Sequence, residues 1–215
     1  MTMTEIILAE WRSAPRSDTC VSVIPDGCRD LIMHVAPGEA PYWFVSSLDA
    51  RTYTVSIGAG AFMKGFRLRP GARINEERLL ASVQRRHCRD EEIRDRISGF
   101  TGLSPRVAGA LDCLASGVGS INEAAARLGV SRRSLQRLLK RETGLPPAFW
   151  LMLARVRKAA RTVSEPLPLA EIAALHGYAD QAHMSRDFRR WLNVSPSELR
   201  SGSSILTQLS QPGYG

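Results

Sequence analysis

Arg132, Arg133, Gln136, Arg137 and Lys140 recur at helical spacing beside Leu135, Leu138 and Leu139. If the leucines take the inner face of a helix, the five polar side chains are left together on the outer one. Further along, Gln181, Ala182, His183, Arg186, Arg189 and Arg190 stand in the same relation to Met184, Phe188 and Leu192. Arginine and glutamine are shaped for bidentate pairing with the guanine and adenine edges of a major groove, and arginine and lysine for phosphates. The chemistry that fits these two faces is recognition of double-stranded DNA. A plain bundle of helical hairpins would leave the same faces solvated, but it gives no reason for Arg and Gln to gather on one side of each helix.

Both faces sit in a doubled unit. Laying Gly129 on Gly177 aligns Ile121 with Leu169, Ala125 with Ala173 and Val130 with Tyr178. One extra residue in the second turn then aligns Leu135 with Met184, Leu139 with Phe188, Gly144 with Asn193 and Pro147 with Pro196. Each repeated position has a local job. Small alanines let two helices cross closely, and a turn glycine permits the sharp reversal. Ser131 and Asp180 are placed to accept the free N–H groups that open the second helix. Gly144 and Asn193 suit the left-handed residue that closes it, with proline three residues later in both copies. Between the copies, a helix beginning at Pro146-Pro147 and running to about Val163 would span ~24 Å at 1.5 Å per residue. Such a strut suits two reading heads placed near the ~34 Å repeat of successive major grooves. Arg155, Arg157, Lys158 and Arg161 on it read either as phosphate contacts or as a solvated face.

The runs I-A-A-L-H-G-Y, S-R-D-F-R-R and S-P-S-E-L-R within residues 169–200 carry a resemblance. Residues 120–200 resemble the DNA-binding domain of AraC-type bacterial transcription regulators, in order, spacing and doubling. The resemblance implies two helix-turn-helix units on a linker helix, each placing its second helix in the major groove. His176 before the turn glycine and Met184 in place of phenylalanine depart from the family pattern.

Charge divides the chain the same way. Residues 120–200 hold 14 Lys+Arg against 7 Asp+Glu, a net of +7, while residues 1–119 hold 15 against 14, a net of +1. An anionic partner therefore belongs to one module. Cys20, Cys28, Cys88 and Cys113 are scattered, with no C-x-x-C pair or paired histidines, which argues against a metal site. No cofactor is implied. The N-terminus M-T-M-T-E-I-I-L-A-E-W is acidic and too short in apolar run for a secretory signal, and no stretch reaches the ~18 apolar residues of a membrane span. A cytoplasmic chain with reduced thiols and no membrane partner is expected.

Before the repeat the texture changes. Residues 21–24, 30–35, 42–46, 52–57 and 62–68 are short runs rich in Val, Ile, Tyr and Phe, divided by turn-forming segments such as P-D-G and G-A-G. A small antiparallel β domain follows. Its P-D-G-C-R-D-L-I and G-F-R-L-R-P-G-A segments resemble the cupin-like β domain attached to some AraC-type regulators, though it is short for a full cupin. A sensor of this kind should enclose an apolar pocket with a few aimed polar groups, and Asp30, His34, Tyr42, Trp43 and Arg67 are the candidates to touch an effector. Each also has an ordinary role: Asp30 beside a turn, Tyr42 and Trp43 as core or edge aromatics, His34 as a packed residue, Arg67 on an outward strand face.

The predicted architecture is α+β, with a cupin-like β domain at 1–74, a charged helical connector at 75–104, a double helix-turn-helix domain at 105–200 and an irregular tail at 201–215. In the connector, Leu79, Leu80 and Val83 form one thin apolar stripe and Ile93, Ile97 and Phe100 another. They pack on the β domain or form the seam of a homodimer. The expected function is a sequence-specific regulator, in the first instance an activator, with promoter DNA and RNA polymerase as partners and a small-molecule effector or dimer contact at the N-terminus. The alternatives are a DNA-bound protein-interaction module without an effector, and a DNA-repair alkyltransferase sharing this module. The last would need a reactive cysteine cluster, against which the scattered cysteines speak.

Overall fold

The computed structural model describes residues 6–84 and 89–215. Cys88 and the Arg85-Arg86 pair of the connector lie outside the described residues. The β region places β1 (Ile7–Ser13), β6 (Phe62–Leu68), β3 (Asp30–Val35) and β4 (Tyr42–Val45) in one antiparallel sheet in the order β1-β6-β3-β4. A second ribbon pairs β2 (Thr19–Val23) with β5 (Tyr53–Ile57). The β1 strand is an addition to the five expected runs. It is an edge strand whose alternation is confined to its second half, where exposed Glu10 and Arg12 flank half-buried Trp11, and it pairs with β6.

Side-chain alternation splits the four-stranded sheet into two faces. Leu31, Trp43, Phe66 and Leu68 pack against Leu79 and Val83 of α1 (Glu76–Val83) and Ile93 and Ile97 of α2 (Asp90–Phe100). Both apolar stripes of the connector are thus buried within the chain, and the seam once available for a homodimer is used on its own sheet. Lys64 holds α2 down through an ion pair to Asp90. The opposite face, with Ile32 and Met63, turns toward Ile57 of the β2-β5 ribbon. The short strands β7 (Arg73–Ile74) and β8 (Thr101–Gly102) pair and close the connector back onto the sheet.

The C-terminal part is α3 (Pro105–Ala115), α4 (Ile121–Arg127), α5 (Arg132–Thr143), α6 (Pro147–Thr162), α7 (Leu169–Leu175), α8 (Gln181–Leu192) and α9 (Pro196–Arg200). The 16-residue α6 is the axis, touching α3, α4, α5, α7 and α8 and burying Trp150, Leu153, Val156, Ala159 and Ala160. The tail is not irregular. It forms α10 (Ile205–Leu209) and then returns along α6, with Ile205, Leu209 and Tyr214 buried. Composition in serine and glycine concealed this, because the ordering comes from contacts with distant residues: Tyr214 donates its O–H to the Leu111 carbonyl at 2.9 Å and its N–H to the Asp26 carbonyl at 2.8 Å.

Candidate nucleic-acid interface

The two repeated hairpins fold with matching local geometry. Gly129 and Gly177 take φ of 65° and 70°, the left-handed region that a side chain disfavours, at the turn of each unit. Ser131 Oγ accepts the N–H of Ser134 at 3.1 Å, and Asp180 Oδ1 accepts that of His183 at 2.6 Å, so both second helices are N-capped. Gly144 and Asn193, both left-handed, close them.

On α5, Leu135 and Leu139 are buried and Leu138 half-buried, while Arg132, Arg133, Gln136, Arg137 and Lys140 are all exposed. The Lys140 ammonium donates to the Gly144 carbonyl at 2.8 Å, a favourable use of a cation at a helix C-terminus. On α8, Met184, Phe188, Trp191 and Leu192 are buried and Gln181, Ala182, Arg186, Arg189 and Arg190 exposed. His183 is half-buried, with its ring edge-on to Tyr178 at 5.2 Å. Among the cations of α8 lies Asp187, a buried carboxyl raised above its ordinary range by burial despite the nearby His183 and Arg190. The two outer faces therefore differ: α5 offers Arg, Gln and Lys without an acidic neighbour on its own helix before Glu142, whereas α8 carries a carboxyl beneath its arginines.

The basic residues of the strut are not arranged for phosphates. Arg157 is fully buried and donates to the Pro25 carbonyl at 3.2 Å. Arg161 donates to the carbonyls of Leu209, at 2.9 Å, and Gly215. Lys158 donates to the Ala115 carbonyl, and Arg155 lies over the Tyr178 ring, 5.7 Å from its centroid. These cations bind main-chain carbonyls that the packing leaves exposed to them, and α6 is a structural axis. Burial, and then the charge of Arg161, push Arg157 down to about 10.

A cavity of about 480 Å3 opens between the inner face of the sheet and the β2-β5 ribbon. Of the expected effector residues, Asp30 and Arg67 line it and His34, Tyr42 and Trp43 do not. Trp43 faces the helices on the other side of the sheet, stacked at 6.4 Å on Phe66. Tyr42 is exposed and pairs with His34 at the far end of β3 and β4. At the cavity's polar end, Asp30 accepts from Trp11 Nε1 at 2.7 Å and from Arg67 Nε at 3.2 Å. Arg67 also pairs with Asp26 at 3.0 Å and donates to the Pro212 carbonyl at 3.0 Å. Burial lowers an arginine's affinity for its proton, but here Asp30 and Asp26 outweigh it and hold Arg67 above its ordinary value. Burial raises the Asp26 carboxyl, opposed by Arg67, and burial and then Asp26 push the buried Cys28 thiol well up. The sequence offered Asp26 only as a turn residue of P-D-G, Arg157 only as a phosphate contact or solvated cation and 201–215 only as an irregular tail; their mutual contacts had no local signal.

Among the described residues, no group of three or more His, Cys, Asp or Glu could hold a metal ion, and no helix is long and apolar enough to cross a membrane.

A family model described as a helix-turn-helix domain matches residues 124–202. Over 87 residues the chain is 36% identical to the HTH-type transcriptional activator RhaS of Klebsiella pneumoniae, covering 40% of this chain and 31% of that protein. Over 105 residues it is 38% identical to the HTH-type transcriptional regulator VirS of Mycobacterium tuberculosis, covering 48% of this chain and 31% of that one. A solved transcriptional regulator from Chromobacterium violaceum, described as an AraC-type DNA-binding domain-containing protein, is 26% identical, with 51% of this chain and 96% of that chain covered and a TM-score of 0.42. The chain spans 31% of the length of these curated relatives.

Proposed function

We propose, from the helix-turn-helix domain matched at residues 124–202 and the resemblance of residues 120–200 to AraC-type regulators, that the chain is a sequence-specific regulator of transcription that reads two successive major-groove segments of promoter DNA. The observation that carries the reading is the pair of exposed polar faces on α5 and α8, held on one 16-residue axis. Arg133, Gln136 and Arg137 on α5 and Gln181 and Arg186 on α8 are the side chains assigned to base edges; Arg132, Lys140 and Arg190 are assigned to phosphates. Ala182 and His183 shape the contact surface at the start of α8. Because a relative is an activator, activation with RNA polymerase is the assigned output. The β domain is assigned the sensing role, supported by its cavity with a polar end at Asp30 and Arg67.

Selection of bound fragments from random duplex DNA tests this. A motif with two half-elements about one helical turn apart is the expected result, and no enrichment would overturn it. On the selected duplex, Arg133→Ala and Gln136→Ala should each cost about 1–3 kcal/mol and relax preference at particular base pairs. Lys140→Ala should weaken cognate and scrambled DNA alike and lower the salt slope by about one.

A further inference from the structure

The cavity of the β domain shares its walls with the DNA-binding module. The segment 46–52 joins β4 to β5, and its Ser46, Ser47 and Asp49, with Tyr53 at the start of β5, line the cavity from one side. From the other side Leu48 packs into the C-terminal core, and Thr52 donates both its N–H, at 3.2 Å, and its Oγ1–H, at 2.8 Å, to the carbonyl of Trp191. That carbonyl is in the last turn of α8, where the helix itself supplies no donor. A cavity-lining loop thus supplies two donors to the last turn of the second recognition helix, beside its C-cap Asn193. Across the cavity, Pro25 and Asp26 are tied to Arg157 of α6 and to Tyr214 of the tail.

Two features narrow what the cavity would take. Its volume of about 480 Å3 is in the range of small-molecule sites, ~300–1,000 Å3, and Ile32, Phe44, Val55 and Met63 make much of its wall apolar. Its charged lining is three carboxylates, Asp26, Asp30 and Asp49, against one guanidinium, Arg67. That guanidinium is already engaged by Asp26, Asp30 and the Pro212 carbonyl. An anionic ligand would enter against net negative charge and would have to break those bonds. A cation meets Asp49, which accepts the Tyr53 hydroxyl and keeps further acceptor capacity, and which sits in the loop three positions before Thr52.

Building on the regulator reading above, we propose that this cavity receives a small organic cation, an amine on an apolar body, and that its occupancy reaches the second recognition helix through Thr52. An amine held by Asp49 fixes the loop, the fixed loop holds the Trp191 carbonyl, and α8 is stabilised in the orientation seen here. By linkage, cognate DNA and the amine raise each other's affinity by the same factor.

The test uses the full chain and three probes with one skeleton: phenethylamine, 2-phenylethanol and phenylacetate. Phenethylamine should raise the unfolding midpoint, phenylacetate should not, and Asp49→Asn should abolish the amine shift while keeping the midpoint of the unliganded protein. A shift with phenylacetate alone, or with none of the three, overturns the cation assignment. On the selected duplex, saturating phenethylamine should tighten binding by the wild-type chain about fivefold or more. Thr52→Val, which keeps the N–H donor and loses the hydroxyl, should bind the amine as before and lose most of that gain. An amine that binds but leaves wild-type DNA affinity unchanged overturns the transmission. Failure of the regulator reading would look different, since no duplex would be selected with or without amine.

Discussion

The two helix-turn-helix units share a plan and differ in how they are held. The last turn of α5 is finished from within its own unit, by Lys140 on the Gly144 carbonyl and by the Thr143 hydroxyl on the Leu139 carbonyl. Between it and the β region lies a crevice lined by Arg29, Ile74 and Glu142, bridged by an Arg73–Glu142 ion pair at 3.6 Å. With Arg73 72% exposed, that pair contributes little. The last turn of α8 is instead finished by Thr52 of the β domain, and its Trp191 packs 5.4 Å from Phe149 of the axis. The two units are thus alike in plan, one finished from within and one whose last turn also takes donors from the β region. The control proposed above would pass to the second unit by this contact.

The largest effects should come from the cores of the two units. Phe188→Ala is expected to cost about 3–5 kcal/mol and Leu139→Ala about 2–5 kcal/mol in denaturant unfolding. Amide hydrogen exchange then separates them: Phe188→Ala should deprotect the Thr52 amide, whose acceptor is on α8, and Leu139→Ala should leave it protected. Equal deprotection would break the comparison. The turns come next. A Cβ at Gly129 or Gly177 would meet nothing within 4 Å, so the cost of Gly129→Val or Gly177→Val is that of the left-handed backbone, about 1–2 kcal/mol in either unit. Asparagine at the same positions should cost less, and a valine variant of wild-type stability would contradict the shared turn. Removing the N-caps, by Ser131→Ala and Asp180→Ala, should cost about 1 kcal/mol each, as thermal unfolding would read. Asp180 should be the costlier, because its carboxylate also meets the positive end of α8.

The smallest expected effect concerns acid. Burial, and then Lys158, hold His176 below its ordinary value of 6.5, with Nε2 2.8 Å from the Thr162 hydroxyl. In the window below pH 6.5 the unfolded chain binds more protons than the folded one. The stability present above that pH is therefore lost as the pH falls through the lower folded value. The first unit has Leu128 at the matching position, so His176→Leu should flatten the slope of melting temperature against pH between about 5 and 7. An unchanged slope would remove this asymmetry between the units.

Much of the candidate interface was legible in the residues. The period of the leucines, the caps at Ser131 and Asp180 and the left-handed positions at 144 and 193 are decided by neighbours within one or two helical turns, and the structure has them as read. In the β domain the alternation that should have excluded Trp43 was present: it falls on the face of the sheet that also carries Leu31 and Phe66. The roles of Arg155, Arg157, Lys158 and Arg161 were hidden, because a cation on an amphipathic helix looks the same whether it meets solvent or a carbonyl from elsewhere. The tail at 201–215 was hidden for a related reason, its order depending on Leu111, Asp26 and Arg161 rather than on its own propensities.

The sequence by itself determined the doubled helical unit, its turns and caps, and which side chains stand outward on α5 and α8, since helix period and backbone preference act over a few residues. Only the tertiary structure decided how the domains are joined. Arg157 meets Pro25 across 132 positions, Thr52 meets Trp191 across 139 and Arg67 meets Pro212 across 145. A hydrogen bond at that separation exists only once both cores have formed around it, so no local pattern announces it.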